Sequence, residues 1–186
     1  MSPILGIWAS AQQSAASTSF DSIQTVTVGS GGAGSITFSS IPSTYSHLQI
    51  RGISRTDNPG SVDNVVIRFN SDTGTNYAWH QLAGDGSSAS SGGESTKNYI
   101  LIGLHPTSST LANTFGTTVV DVLDYANTNK NKTARGLSGY DLNGSGTVLL
   151  RSGLWQNTGA VTSITITLLS AYNYLQYSSF ALYGIK

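Results

Sequence analysis

Cysteine is absent from the 186 residues, which excludes thiol catalysis, disulfide staples and a Cys-ligated zinc. Methionine and glutamate occur once each, and 10% of the residues are charged where about 25% is usual. Strong helix formers are therefore scarce. An excess of either charge sign is missing too. Nine Lys and Arg balance nine Asp and Glu, so no basic field exists to neutralise phosphates or hold an anionic membrane surface. Nucleic acid is disfavoured as a partner on that ground. No apolar run approaches the ~18 residues of a membrane helix, so no membrane insertion is expected. The opening Met1 to Ala11 places no Lys or Arg ahead of a short apolar run. It fits a signal peptide poorly, and the expectation is a soluble protein that keeps this segment.

What the chain has in quantity is Ser 29, Thr 21 and Gly 21, a composition that feeds strands and turns. Residues 1 to 22 read as an extended arm, apolar at Pro3, Ile4, Leu5, Ile7 and Trp8 and small and polar afterwards. From Ile23 to residue 186, β-branched and aromatic runs alternate with Gly, Ser, Asn and Asp clusters. The runs are Ile23 to Val28, Ser35 to Ser39, His47 to Arg55, Val62 to Phe69, Asn76 to Leu82, Asn98 to Leu104, Thr114 to Leu123, Thr133 to Tyr140, Val148 to Trp155, Val161 to Leu168 and Ser178 to Ile185. Gly29 to Gly34 reads as a hairpin loop, Asn70 to Gly74 as a turn, and Asn143-Gly144 as a type I′ turn. Gly84 to Thr96 reads as a mobile loop with too little apolar content to order itself. The expected fold is all-β: a two-sheet antiparallel β-sandwich, jelly-roll-like, behind an extended N-terminal arm.

Catalytic signals are weak. His47, His80 and His105 fall in different runs without metal-ligand spacing, so no metal is expected. A His80, Asp85 and serine triad can be written, but no Gly-x-Ser-x-Gly elbow accompanies it. Asp57, Asp63, Asp72, Asp85 and Asp141 read as turn residues that cap backbone amides, and Asp121 and Asp124 fall on opposite strand faces. The reading is a non-enzyme without cofactor. Rings at Trp79, Trp155, Tyr172, Tyr174 and Tyr177 are candidates for stacking on a sugar, with Trp79, His80, Asp85, Tyr172 and Tyr174 as the glycan or partner contact. Trp155 and Tyr77 read more naturally as core or interface anchors.

Three blocks carry a family resemblance: Ser35 to Leu48, Val66 to Tyr77, and the close Ser178 to Ile185. In that order they resemble the β-sandwich virion proteins of tailed bacteriophages, of minor structural, head-decoration or tail-fibre type. The apolar opening Pro3 to Ile7 is similar to the short segments by which such proteins attach to a particle. The resemblance implies a structural protein on the virion surface, assembled in the host cytoplasm. It would be a homo-oligomer, expected to be a trimer, bound to the major capsid protein or another virion protein. An auxiliary capsid role (decoration, cement or head fibre) is the first expectation. A tail-fibre or receptor-binding protein whose loops hold a host surface glycan is the alternative.

Overall fold

The computed structural model describes residues 19–186. They form twelve strands and no helix. In chain order these are β1 (Phe20–Thr27), β2 (Ser35–Phe38), β3 (His47–Ser54), β4 (Val62–Phe69), β5 (Tyr77–Gly84), β6 (Ala89–Lys97), β7 (Ile100–Pro106), β8 (Gly116–Leu123), β9 (Lys132–Asp141), β10 (Gly146–Trp155), β11 (Ile164–Leu168) and β12 (Ser179–Ile185). Period-two burial explains most of them. In β2, for example, Ile36 and Phe38 are buried while Ser35 and Thr37 face water.

The strands make two antiparallel sheets, one of eight in the order β1-β12-β3-β8-β9-β10-β5-β6 and one of four in the order β2-β11-β4-β7. The pairings are nested: β1 with β12, β2 with β11, β3 with β8, and β4 with β7. The chain therefore runs as one long antiparallel ribbon wound so that successive pairs alternate between the sheets. The β5–β6 and β9–β10 hairpins are inserted into that ribbon, and both extend the larger sheet. The core between the sheets is apolar, with Phe38, Leu48, Ile50, Ile67, Phe69, Val120, Ile164, Phe180 and Leu182 all fully buried.

Several sequence expectations change. The sandwich begins at Phe20 rather than Ile23. Gly29 to Gly34 joins strands of different sheets and so closes no hairpin, whereas Asn70 to Gly74 is a turn as expected, with positive φ at Asn70 and Ser71. Gly84 to Thr96 is not a loop but the end of β5, a tight turn and most of β6. The reason is backbone pairing: β6 lies along β5 from Gly84↔Ala89 to Tyr77↔Lys97 and needs no apolar side chains to do so. Asp63 is not in a turn; it sits in β4, 3% exposed, and accepts a hydrogen bond from Asn58. The Asn143-Gly144 turn is as expected, with φ of 59° and 121° and the Leu142 N–H donating to the Ser145 carbonyl.

Candidate functional site

The larger sheet overhangs the smaller one, and beneath the overhang lies a cleft of about 510 Å³. Inward positions of β5 supply Trp79 and Gln81, β10 supplies Arg151, β6 supplies Glu94 and Lys97, and Tyr99 precedes β7. Arg151 is 3% exposed and ties the layers together. It donates to the Gln81 side chain at 3.1 Å, the Gly103 carbonyl at 2.7 Å and Asn64 Oδ1 at 3.1 Å. Burial lowers its pKa to about 10, so it keeps its charge at neutral pH. Lys97 pairs with Glu94 at 2.9 Å, and that hydrogen bond raises the lysine pKa. The Trp79 indole N–H is buried without a hydrogen-bond partner. An aromatic wall with amide, carboxylate and cationic groups around it is a lining able to hold a polyhydroxy ligand.

A second cavity of about 400 Å³ lies where the β1–β2 loop meets the segment after β11, lined by Arg55, Asp57, Asn173, Tyr174 and Tyr177 among others. Its polar groups already serve the fold. Arg55 donates to the carbonyls of Thr110, Leu111 and Thr114, and Asp57 accepts from the Asn173 backbone and side-chain amides.

The five residues assigned to a glycan contact are not brought together. Trp79 lines the cleft and is 9% exposed. His80, the next residue, projects from the opposite face of the sheet. Asp85 caps the β5–β6 turn by accepting from the Ser87 and Ser88 backbone amides, which depress its pKa. Tyr172 is exposed, but Tyr174 is fully buried against Phe180, with ring centroids 5.3 Å apart. Burial removes Tyr174 from any surface contact. Trp155 and Tyr77 are core residues, stacked 6.1 Å apart. Trp155 Nε1 donates to Asp72 at 2.7 Å and so pins the β4-to-β5 crossing.

The histidines stay apart as well, and no cluster of three His, Asp or Glu side chains occurs among the described residues. His105 is wholly buried, its Nδ1 bonded to the Ser54 hydroxyl, and burial with the nearby Arg151 charge pushes its pKa down to about 3. This His–Ser pair lies in the core and opens to no surface. His47 Nδ1 accepts from the Asp124 amide at 3.0 Å. The expected anchor, Pro3, Ile4, Leu5, Ile7 and Trp8, lies outside the described residues.

Sequence reasoning did not single out the outer face of β5, β10, β9 and β8. Leu82, Leu150, Leu137 and Val119 stand directly opposite one another across these four strands. They are 56%, 50%, 55% and 39% exposed, and Val148 beside them is 61% exposed. The signal was present in Val148-Leu149-Leu150, where an unbroken apolar run means that one strand carries leucine or valine on both faces. No family model matches this chain, and neither a curated protein nor a solved structure does.

Proposed function

We propose that this chain is a non-enzymatic structural protein of a bacteriophage virion, an auxiliary capsid protein attached through the N-terminal residues that precede β1. The observation that carries the reading is the nested strand order, which we read as a jelly roll lengthened by two hairpins, an architecture that viral capsid domains share. The blocks behind the phage resemblance coincide with its framework: Ser35 to Leu48 spans β2 into β3, Val66 to Tyr77 links β4 to β5, and Ser178 to Ile185 covers β12. In this role the sandwich presents surfaces and the arm supplies the anchor, where Ile4, Leu5, Ile7 and Trp8 each contribute about 1.5–3 kcal/mol on burial. Purified particles carrying a tagged copy test the reading by electron microscopy. Extra density on the head supports it, and a tagged chain that stays wholly in the unassembled fraction rejects it. Serine at Ile4, Leu5, Ile7 and Trp8 together should abolish incorporation while leaving the circular dichroism unchanged.

The cleft under β5 and β10 favours a second reading, a receptor-binding protein that holds a host glycan. Its supports are the unpartnered Trp79 N–H and the Gln81, Glu94 and Lys97 side chains around it. Jelly rolls are also lectin scaffolds. Retention of the tagged chain on host surface polysaccharide, lost in a Glu94→Ala, Lys97→Ala double variant, would establish that role in place of the capsid one.

A further inference from the structure

We infer that the outer face of β8, β9, β10 and β5 is a self-pairing surface that packs against the same face of a second copy. The face has the wrong polarity for a surface left in water. Its central row is Leu82, Leu150, Leu137 and Val119, with Val148 next to it, and shallow grooves run between these side chains. An apolar band continuous over four strands is rare on a solvated sheet.

The row arrangement says what covers it. Two cross-strand rows flank the central one: His80, Ser152, Arg135 and Asp121 on one side, and Gly84, Val148, Gly139 and Thr117 on the other. Beyond the first lies the row Ala78, Leu154, Thr133 and Leu123. A two-fold axis parallel to the strands and midway between β9 and β10 lays each row on itself in reverse order. Leu82 then faces Val119 of the second copy, and Leu150 faces Leu137. His80 faces the Asp121 carboxylate, which already accepts from Arg135 and Gln49 of its own subunit, and Ser152 faces Arg135. Size is complementary as well, since Val148 meets the hollow at Gly139 and Leu123 meets Ala78. Apolar groups meet apolar groups, the charged end meets an imidazole, and the prominent side chains meet small ones. Such isologous matching is a property of a surface that pairs with itself.

The area is adequate. β5 and β8 are eight residues long. Four strands of that length, at about 3.3 Å per residue and 4.8 Å between strands, cover roughly 500 Å² in projection. The protruding side chains raise the accessible area toward the about 800 Å² per partner of a stable pair. Aligned packing of two sheets about 10 Å apart accommodates the native twist. The pair would be a dimer, in place of the trimer expected from the phage resemblance, and the inference holds whether the chain works on a capsid or on a receptor.

Light scattering on the full chain at tens of micromolar tests it. The expected mass is twice 19.4 kDa, falling to 19.4 kDa in a Leu137→Arg, Leu150→Arg variant whose circular dichroism is unchanged. A single-chain mass for the wild type, a trimer, or a dimer indifferent to those arginines overturns the inference. The register has its own test, clean because the chain has no cysteine. A Leu82→Cys, Val119→Cys double variant should be joined into covalent dimers by a bismaleimide spanning about 10 Å, and neither single variant should be. Equal cross-linking of the single variants overturns the two-fold arrangement. If serine at Ile4, Leu5, Ile7 and Trp8 turns a monomeric wild type into a self-associating one, the arm is what covers this face and the inference fails.

Discussion

The two halves of the eight-stranded sheet differ in what they place inside. In β12 and β3 the inward residues are large and apolar (Phe180, Leu182, Leu48, Ile50) and the outward row includes Tyr183 and Gln49, while β8 buries Val120 and Val122 and carries Val119, Asp121 and Leu123 outside. In β9 and β10 the inward side carries Lys132, Ala134, Gly136, Ser138, Arg151 and Gly153 beside the buried Leu149 and Trp155, and leucine also stands outside at 137 and 150. The difference follows from how closely β7 approaches. A Cβ on Gly153 would lie 2.2 Å from the Ile100 Cγ2, and one on Gly136 would lie 3.3 Å from the Ile102 carbonyl. Where β7 crosses them, at Gly136 and Gly153, those strands have no room inward for a large side chain. What they cannot place inside they carry on the outer face. The framework half is thus specified by its core, and the extended half by inward polar anchors and by whatever lies against its outside.

The largest loss is expected at Phe180. Phe180→Ala removes a fully buried ring and its contact with Tyr174, and should lower stability by about 3–5 kcal/mol in urea unfolding. Leu150→Ala, on the outer face of β10, should change the stability of the single subunit by no more than about 0.5 kcal/mol. Similar losses at the two positions would mean that the outer leucines belong to the subunit's own core.

Acid should strain the seam where β3 and β7 meet. His105 has an ordinary pKa near 6.5 when unfolded and one near 3 when buried beside Ser54 and Arg151. Below pH 6.5 the unfolded chain therefore binds a proton that the folded one refuses, and stability falls as pH falls. The slope approaches about 1.4 kcal/mol per pH unit once the pH is well below 6.5, so a loss of roughly 2 kcal/mol is expected between pH 6.5 and 4.5. In His105→Gln that slope should flatten. An unchanged pH profile in that variant would show that His105 is not the source.

Much of the framework was legible in the sequence, and the extension was much less so. Alternation in β2, β3, β11 and β12 marks strands that bury one face, which is why their runs could be placed. β6 escaped because Ser90, Ser91, Gly92 and Gly93 pair only through their backbones, a contribution no side-chain pattern records. The loops at 29 to 34 and 70 to 74 were legible as turns, but whether a turn returns to its own sheet depends on partners far along the chain, such as Ile164 opposite both Phe38 and Phe69. Of the site, Trp79 was named from its ring alone, whereas Arg151, Glu94 and Lys97 converge on it only through the β5 pairings. Tyr174 was read as exposed because it lies in a polar loop; its burial follows from the Ala33 backbone bridge and the Phe180 contact.

A buried cation distinguishes the two halves at intermediate cost. Arg151→Leu keeps the volume of the side chain and leaves the Gly103 carbonyl and the Asn64 amide oxygen without their donor. An unsatisfied buried acceptor costs about 1–3 kcal/mol, which urea unfolding resolves. Leucine tolerated without loss would show that the β10-to-β7 junction is held by packing rather than by the guanidinium.

The smallest effects should come from the two hairpin turns of the extension, and the contrast between them is the sharper test. Gly144 in the β9–β10 turn and Gly86 in the β5–β6 turn both have positive φ, 121° and 92°, and a Cβ on either would meet nothing within 4 Å. Alanine at either position therefore carries only backbone strain, about 1–2 kcal/mol. The strands differ in how the strain can be relieved. β9 and β10 are paired on both sides, to β8 and to β5, so strain at Gly144 must be borne by the whole sheet. β6 is an edge strand bonded only to β5, and it can part locally while the rest stays folded. Gly144→Ala should thus lower global stability by about 1–2 kcal/mol. Gly86→Ala should lower it by less than half as much, and the difference should appear as faster amide hydrogen exchange confined to Ala89–Lys97. Equal global losses, without faster exchange in β6, would mean that the edge strand folds and unfolds with the framework and that the extension is one cooperative unit with it.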